Sequence, residues 1–264
     1  MPAKTLLRRS GQFLLAAARR LETRLDTSVA YIHMPKCGGT SLHQAIARYY
    51  PEPKVSYLDP TASGQAAAHL SRDLLPYRRD LLAYELARTD RPRFVSGHWP
   101  VDPEMMASVA DDWAFVTLLR HPVDRWLSNY FFNRHRAENR DHFGTDLGLA
   151  DYLDTADAAK NGKLFVSFCT GGQFEGAEDE QTIQQAIAVL KRFTLVGFLE
   201  DMDAFGQAFQ KRFGVPLETE ALNRNPASMA ERDAELTQPL RDRIEALCAP
   251  DLALYEALRE HVSR

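Results

Sequence analysis

Cysteine is scarce in this chain, and the scarcity excludes a class of folds at once. Three cysteines, Cys37, Cys169 and Cys248, stand among 264 residues. The count is odd, no two are closely spaced, and no Cys/His cluster has zinc-ligand spacing. A disulfide framework or zinc module is therefore not expected, and a reducing, cytoplasmic setting fits best. Long apolar runs are missing too. The longest near the start, Phe13 to Ala18, is far below membrane length. Arg19 and Arg20 follow it directly, which speaks against a secretory signal. Nor is there an excess of basic charge. Lys and Arg number 32 against 36 Asp and Glu, a net charge of −4. That excludes a general nucleic-acid coat, and no nucleic-acid partner is expected. Repeats, low-complexity tracts and Pro/Gly/Ser-rich linkers are also lacking, so residues 29–264 are expected to form one domain.

The charge that is present is uneven. Residues 1–25 carry Lys4, Arg8, Arg9, Arg19, Arg20 and Arg24 against Glu22, a net +5, which leaves −9 for the rest. Leu6, Leu7, Phe13, Leu14, Leu21 and Leu25 recur at helical spacing, so residues 1–28 are expected to form a basic amphipathic helix. Such a helix suits peripheral contact with an anionic inner membrane face through residues 4–25. The alternative is a helix docked on the domain, or a frayed terminus.

Four short apolar runs predict strands: Val29 to Met34, Phe94 to Ser96, Ala114 to Leu119 and Leu195 to Phe198. None alternates, which suits a parallel sheet covered on both faces. Helical patterns lie between and after them, over Ser41 to Tyr49, Asp73 to Arg88, Val123 to Arg136, Gln181 to Phe193 and Ala204 to Phe213. The tail from Ala230 to Val262 predicts two helices broken at Pro250. The alternation gives an α/β class with a central, mainly parallel sheet flanked by helices in three layers.

Two segments carry chemistry. In the first, the strand ending at Met34 runs into Pro35-Lys36-Cys37-Gly38-Gly39-Thr40-Ser41 and then a helix. Glycines admit backbone conformations closed to other residues and let N–H groups approach a ligand. A helix N-terminus adds unpaired N–H groups and partial positive charge, and Lys36 adds a full charge. Together these make an anion cradle. The order is not that of a Walker A loop, where Lys follows the second Gly. In the second, Arg120 stands at the carboxyl end of a strand, where open α/β sheets bind ligands. Pro122 suits a first helical turn. Ser128, eight residues on, folds back toward the strand end, so that Arg120 and Ser128 can hold one anionic group. Arg125 is expected to add charge to the same crevice.

His33-Met-Pro-Lys-Cys-Gly-Gly-Thr-Ser-Leu42 resembles the 5′-phosphosulfate loop of the sulfotransferases that use 3′-phosphoadenosine 5′-phosphosulfate (PAPS). Arg120-His-Pro-Val-Asp-Arg-Trp-Leu-Ser-Asn-Tyr130 is similar to the 3′-phosphate motif of that family. Leu195 to Asp203 resembles a later segment. The likeness is nearest to the carbohydrate branch, which includes the heparan sulfate 2-O-sulfotransferases and bacterial relatives. It implies a P-loop-like fold and PAPS as co-substrate. It also implies a carbohydrate or glycoconjugate acceptor and no metal. By position, Lys36, Cys37, Gly38, Gly39, Thr40 and Ser41 would hold the 5′-phosphosulfate, and Arg120 and Ser128 the 3′-phosphate. Lys36 would also steady the leaving oxygen. Asn223-Arg-Asn225 is a weak candidate for the adenine end.

Cys37 stands where that family usually has Thr. A helix N-terminus and Lys36 are expected to depress its pKa, which would make the site oxidation-sensitive; otherwise it is a tolerated Thr-like residue. A sugar hydroxyl also needs a base. His98, just past a strand and beside Gly97, has the right ordinary pKa. Related carbohydrate enzymes have His-Gly-His there, against Ser96-Gly97-His98 in this chain. His43, His69 and His121 are weaker candidates, and Trp99 either stacks on an acceptor sugar or belongs to the core. Acceptor contacts are expected from residues 51–92 and 137–190. The rival readings are a P-loop kinase or other nucleotide phosphotransferase, and a nucleotide-binding protein without turnover.

Overall fold

The computed structural model describes residues 24–109, 111–136, 144–218 and 235–263. Five strands form one sheet: β1 (Val29–Ile32), β2 (Val55–Tyr57), β3 (Phe94–Gly97), β4 (Ala114–Leu119) and β5 (Leu195–Phe198). Their order is β2-β3-β1-β4-β5. Every pairing is parallel, with Val29 opposite Phe94 on one side of β1 and Ala114 on the other. All carboxyl ends therefore share one edge.

The helices are α1 (Gly39–Ala47), α2 (Pro60–His69), α3 (Leu74–Leu86), α4 (Pro103–Val109), α5 (Pro122–Arg136) and α6 (Leu149–Tyr152). They continue as α7 (Ala156–Gly162), α8 (Leu164–Cys169), α9 (Glu180–Lys191), α10 (Met202–Phe213), α11 (Gln238–Leu247) and α12 (Ala249–Val262). The strand pleat sorts side chains between two cores. Val29 and Tyr31 pack with Leu42 and Ile46 of α1 and Phe205 and Phe209 of α10. Ala30 and Ile32 pack with Leu82 and Leu86 of α3, Phe165 and Phe168 of α8, Leu190 of α9 and Leu254 and Leu258 of α12. A third cluster gathers Trp126, Tyr130 and Phe131 of α5 with Leu149, Tyr152 and Ile244. The α/β class and the parallel sheet flanked by helices are thus as expected.

The chain leaves β1 toward β2 at one edge and leaves β4 toward β5 at the other. Adjacent connections that diverge open a crevice between β1 and β4, the place where open α/β sheets take ligands. The two chemical segments are those two connections.

The differences from expectation are local. β1 stops at Ile32 rather than Met34, and the last bond of its ladder with β3 runs from His33 N to Gly97 O (2.9 Å). The break between α11 and α12 falls at Cys248, and Pro250 sits in the first turn of α12, where a missing N–H costs nothing. β2 and the helices α2, α4, α6, α7 and α8 were not predicted. Residues 24–28 run into β1 without helix, Leu25 being buried and its N–H donating to Tyr49 O (3.4 Å). The remainder of the expected N-terminal helix lies outside the described residues. No described helix is long and apolar enough to cross a membrane.

Candidate active site at the carboxyl edge of the sheet

The loop after β1 is shaped by its backbone. Cys37 N donates to Met34 O (3.3 Å), and Lys36 and Gly38 take left-handed φ values of 66° and 77°. Gly38 is the N-cap of α1 and has no side chain to cap it. Among the described residues no side chain accepts from the N–H groups of the first turn, at Gly39, Thr40 and Ser41. Gly39 is needed for space: a Cβ there would come within 1.9 Å of the His33 ring. The His33 ring is buried, stacks on Tyr31 (centroids 5.5 Å) and lies 4.5 Å from the His98 ring.

The turn after β4 meets this loop directly. Arg120 Nη1 donates to Lys36 O (3.4 Å). The turn is anchored from behind, because His121 N donates to Glu200 Oε1 (2.8 Å) and Tyr255 Oη donates to Glu200 Oε2 (3.0 Å). Lys36 Nζ lies 3.5 Å from the centroid of the Phe132 ring on α5, a cation–π contact. Ser128 precedes Phe132 by four residues and so shares its helix face, which is turned to the Lys36 loop. Lys36, the glycine pair, Arg120 and the Ser128 face are thereby brought to one crevice.

Arg125 does not join them. It is fully buried, it donates to Asn161 O through Nη2, and its guanidinium lies over Phe165. Helices α7 and α8 cover this part of α5, so the charge is spent inside the fold. Cys37 also departs from expectation. Its thiol is buried in the core below the loop, close to Pro35 O (3.6 Å), and burial pushes its pKa up to about 12. The nearby Arg125 and Arg120 charges pull the other way and lose to desolvation. The expected depression of this pKa is therefore reversed, because the sulfur faces the core and not the anion cradle.

His98 follows β3 at the same edge and is half-buried. Its Nδ1 lies 2.7 Å from His33 O, so Nδ1–H donates there and Nε2 keeps its lone pair. Burial, then the Arg78 and Lys36 charges, push its pKa down to about 4, against the His33 carbonyl bond. The ring is neutral at pH 7. Of the weaker candidates, His43 is half-buried between Tyr57 and Phe94, His121 packs edge-on against Tyr255, and His69 is exposed on α2. Trp99 is buried in the main core. Asn223 and Asn225 lie outside the described residues.

Two residues of this edge were missed. Phe132 was legible in principle from its i+4 relation to Ser128. Arg78, whose charge reaches His98, carried no sequence signal.

No family model matches the chain, and no curated protein matches it. Among solved structures it is similar to a sulfotransferase from Alicyclobacillus acidocaldarius, with 18% identity over 87% of this chain and 98% of that one and a TM-score of 0.40. It is also similar to mouse sulfotransferase SULT7A1 complexed with PAP, with 16% identity over 80% of this chain and 64% of that one and a TM-score of 0.39. Likeness at this level does not bear on activity.

Proposed function

We propose that the chain is a sulfotransferase that moves a sulfuryl group from PAPS to a hydroxyl of a carbohydrate or glycoconjugate acceptor by in-line displacement. The observation that carries this reading is the junction of the two anion-binding segments, Arg120 on the Lys36 carbonyl, with the neutral His98 ring at the same sheet edge. A donor with phosphate at both ends of its ribose needs two such sites side by side.

In this reading the first-turn N–H groups of Gly39, Thr40 and Ser41, with Gly38 and Lys36, hold the 5′-phosphosulfate. Arg120 and Ser128 hold the 3′-phosphate. Cys37 shapes the loop and does not touch the donor, since its N–H and thiol are both turned to Met34 and Pro35. The acceptor oxygen attacks sulfur as its proton passes to His98 Nε2. The new O–S bond forms while the bond from sulfur to the 5′-phosphate oxygen breaks, giving a sulfate ester and 3′-phosphoadenosine 5′-phosphate (PAP). Lys36 stabilises the charge growing on the leaving oxygen, an effect worth about 3 kcal/mol for a donor set in place beforehand. The His33 carbonyl fixes the tautomer of His98 and supports the charge it acquires.

Melting temperatures with PAP, ATP and GTP in parallel test the donor. Stabilisation by PAP alone is expected, and stabilisation by ATP with Mg²⁺ alone would overturn the proposal in favour of a kinase. Labelled PAPS with an acceptor panel then separates turnover from mere binding.

A further inference from the structure

Three arginines are buried among the described residues: Arg78, Arg93 and Arg125. Arg93 is ion-paired, with Asp90 (2.6 Å) and Glu85 (3.5 Å). Arg125 is sealed in the core under α7 and α8, on Asn161 O and the Phe165 ring, with Asp251 within electrostatic reach. Arg78 differs. It is 5% exposed, and its hydrogen bonds go to two neutral acceptors of α2, Nε to Ser63 Oγ (3.1 Å) and Nη2 to Pro60 O (3.0 Å). Those bonds fix the plane of the guanidinium and leave Nη1 without a partner among the described residues. No described carboxylate neutralises it, and burial pushes its pKa down to about 10, so it stays charged at neutral pH. Its charge acts on Tyr57, exposed at the carboxyl end of β2, and on His98 at the carboxyl end of β3. A cation withdrawn from water with no counter-charge is costly to keep. One held flat by two hydrogen bonds beside a crevice is preorganised for a planar or forked oxyanion.

We infer that Arg78 binds an oxyanion carried by the acceptor, a carboxylate or sulfate close to the hydroxyl that His98 deprotonates. The inference rests on the sulfuryl-transfer reading and narrows its acceptor class to acidic rather than neutral sugars. The donor anions are held from α1 and α5, whereas Arg78 approaches from α3, on the β2–β3 side of the edge. An anion there would lie on the acceptor side of His98.

The test compares p-nitrophenyl glucuronide, p-nitrophenyl glucoside 6-sulfate and neutral p-nitrophenyl glucoside as acceptors, with PAP stabilisation measured on every variant. The wild-type chain is expected to prefer at least one anionic acceptor in kcat/KM by about tenfold to hundredfold, the worth of a charge-assisted hydrogen bond. Whichever anion is preferred identifies carboxylate or sulfate as the source. Arg78→Gln should erase that preference through KM while leaving PAP stabilisation unchanged; any change it makes to His98, whose pKa its charge helps to lower, falls equally on all three acceptors. Ser63→Ala, which frees Nε and keeps the charge, should weaken the preference by a smaller factor and guards against a folding defect in the first variant. Equal use of all three acceptors by the wild type would overturn the inference, as would an unaltered preference in Arg78→Gln. Loss of PAP stabilisation in Arg78→Gln alone would also overturn it, by assigning the guanidinium to the donor. Absence of PAP stabilisation in the wild type would instead remove the sulfotransferase reading, and this inference with it.

Discussion

The loop after β1 and the turn after β4 leave neighbouring strands at the same edge, yet they are built in opposite ways. The first has small residues, two left-handed φ values and an uncapped helix start. It cannot hold itself with side chains, and its neighbours hold it instead, through His33 N on Gly97 O and Arg120 on Lys36 O. The second begins with Pro122 and is tied to Glu200, which Tyr255 steadies in turn. One segment offers backbone N–H groups and a single ammonium, and the other offers side chains on a stiff mount. In the proposed reading this difference becomes a division of labour: the loop handles the group that reacts, and the turn handles the group that only anchors.

Lys36→Ala is the strongest way to break that division. Loss of one preplaced charge at the leaving oxygen should lower kcat by roughly 10³-fold, measured by single-turnover transfer from labelled PAPS. PAP stabilisation should fall much less. Arg120→Ala should do the reverse, raising the dissociation constant for PAP by about tenfold to hundredfold with a smaller change in kcat at saturating donor. If both variants move the same parameter, loop and turn act as one unit and the division fails.

Replacement of His98 by Ala ranks next. A general base contributes about 10²–10⁴-fold, so kcat should drop within that range while PAP affinity holds. The pH profile adds a second reading. With its pKa pushed down to about 4, His98 keeps its lone pair well below the ordinary imidazole range. The acid limb of kcat/KM should therefore fall near pH 4 and not near 6.5. Linkage has the same sign: a histidine held neutral in the fold supports stability above its unfolded pKa and withdraws it as pH falls toward 4. An acid limb near 6.5, or full activity in the variant, would move the base elsewhere.

Gly39→Ala tests the loop from beneath. A Cβ 1.9 Å from the His33 ring forces the ring or the helix start to move, at a cost of about 1–3 kcal/mol. The shift would also disturb the His33 carbonyl that holds His98. Thermal melting and kcat should therefore fall together, whereas Pro122→Ala, on the stiff turn, should change neither by much. Retention of wild-type stability in Gly39→Ala would show that the loop is looser than its packing implies.

The sequence was most informative where local chemistry decides. β4 and β5 match their apolar runs end to end, because continuous Val, Leu and Phe have no other place than a covered parallel sheet. The Lys36 loop was legible because glycines, a lysine and a helix start admit few structures. β2 was not legible, being three residues at a sheet edge. Helix α2 has a start signal, Asp59 before Pro60, and the Asp59 carboxylate accepts from Thr61 N (2.8 Å) and Ala62 N (2.9 Å). The arginines were the least legible. Arg125 stands beside the second motif and is sealed in the core, while Arg78 stands in an unremarkable helix and its charge reaches His98. Where each guanidinium settles depends on packing across distant segments, here Asn161 and Phe165 for Arg125 and Pro60 and Ser63 for Arg78.

Cys37 gives the smallest expected effect and the sharpest contrast between sequence and fold. From position alone, a thiol between Lys36 and a helix start ought to be acidic. The left-handed turn at Lys36 and the bond from Cys37 N to Met34 O place its sulfur on the core side. Desolvation then outweighs every nearby positive charge, and a thiol with a pKa near 12 has almost no thiolate at neutral pH. Peroxide should therefore inactivate the wild type and Cys37→Ser at the same slow rate, and iodoacetamide should leave Cys37 unlabelled in the folded chain while labelling it in urea. Cys37→Ser should keep activity within a few-fold, since its hydroxyl can donate to the Pro35 carbonyl that the thiol now approaches. Rapid labelling of Cys37 in the native chain would mean that the loop opens, and that the first connection is mobile where the second is fixed.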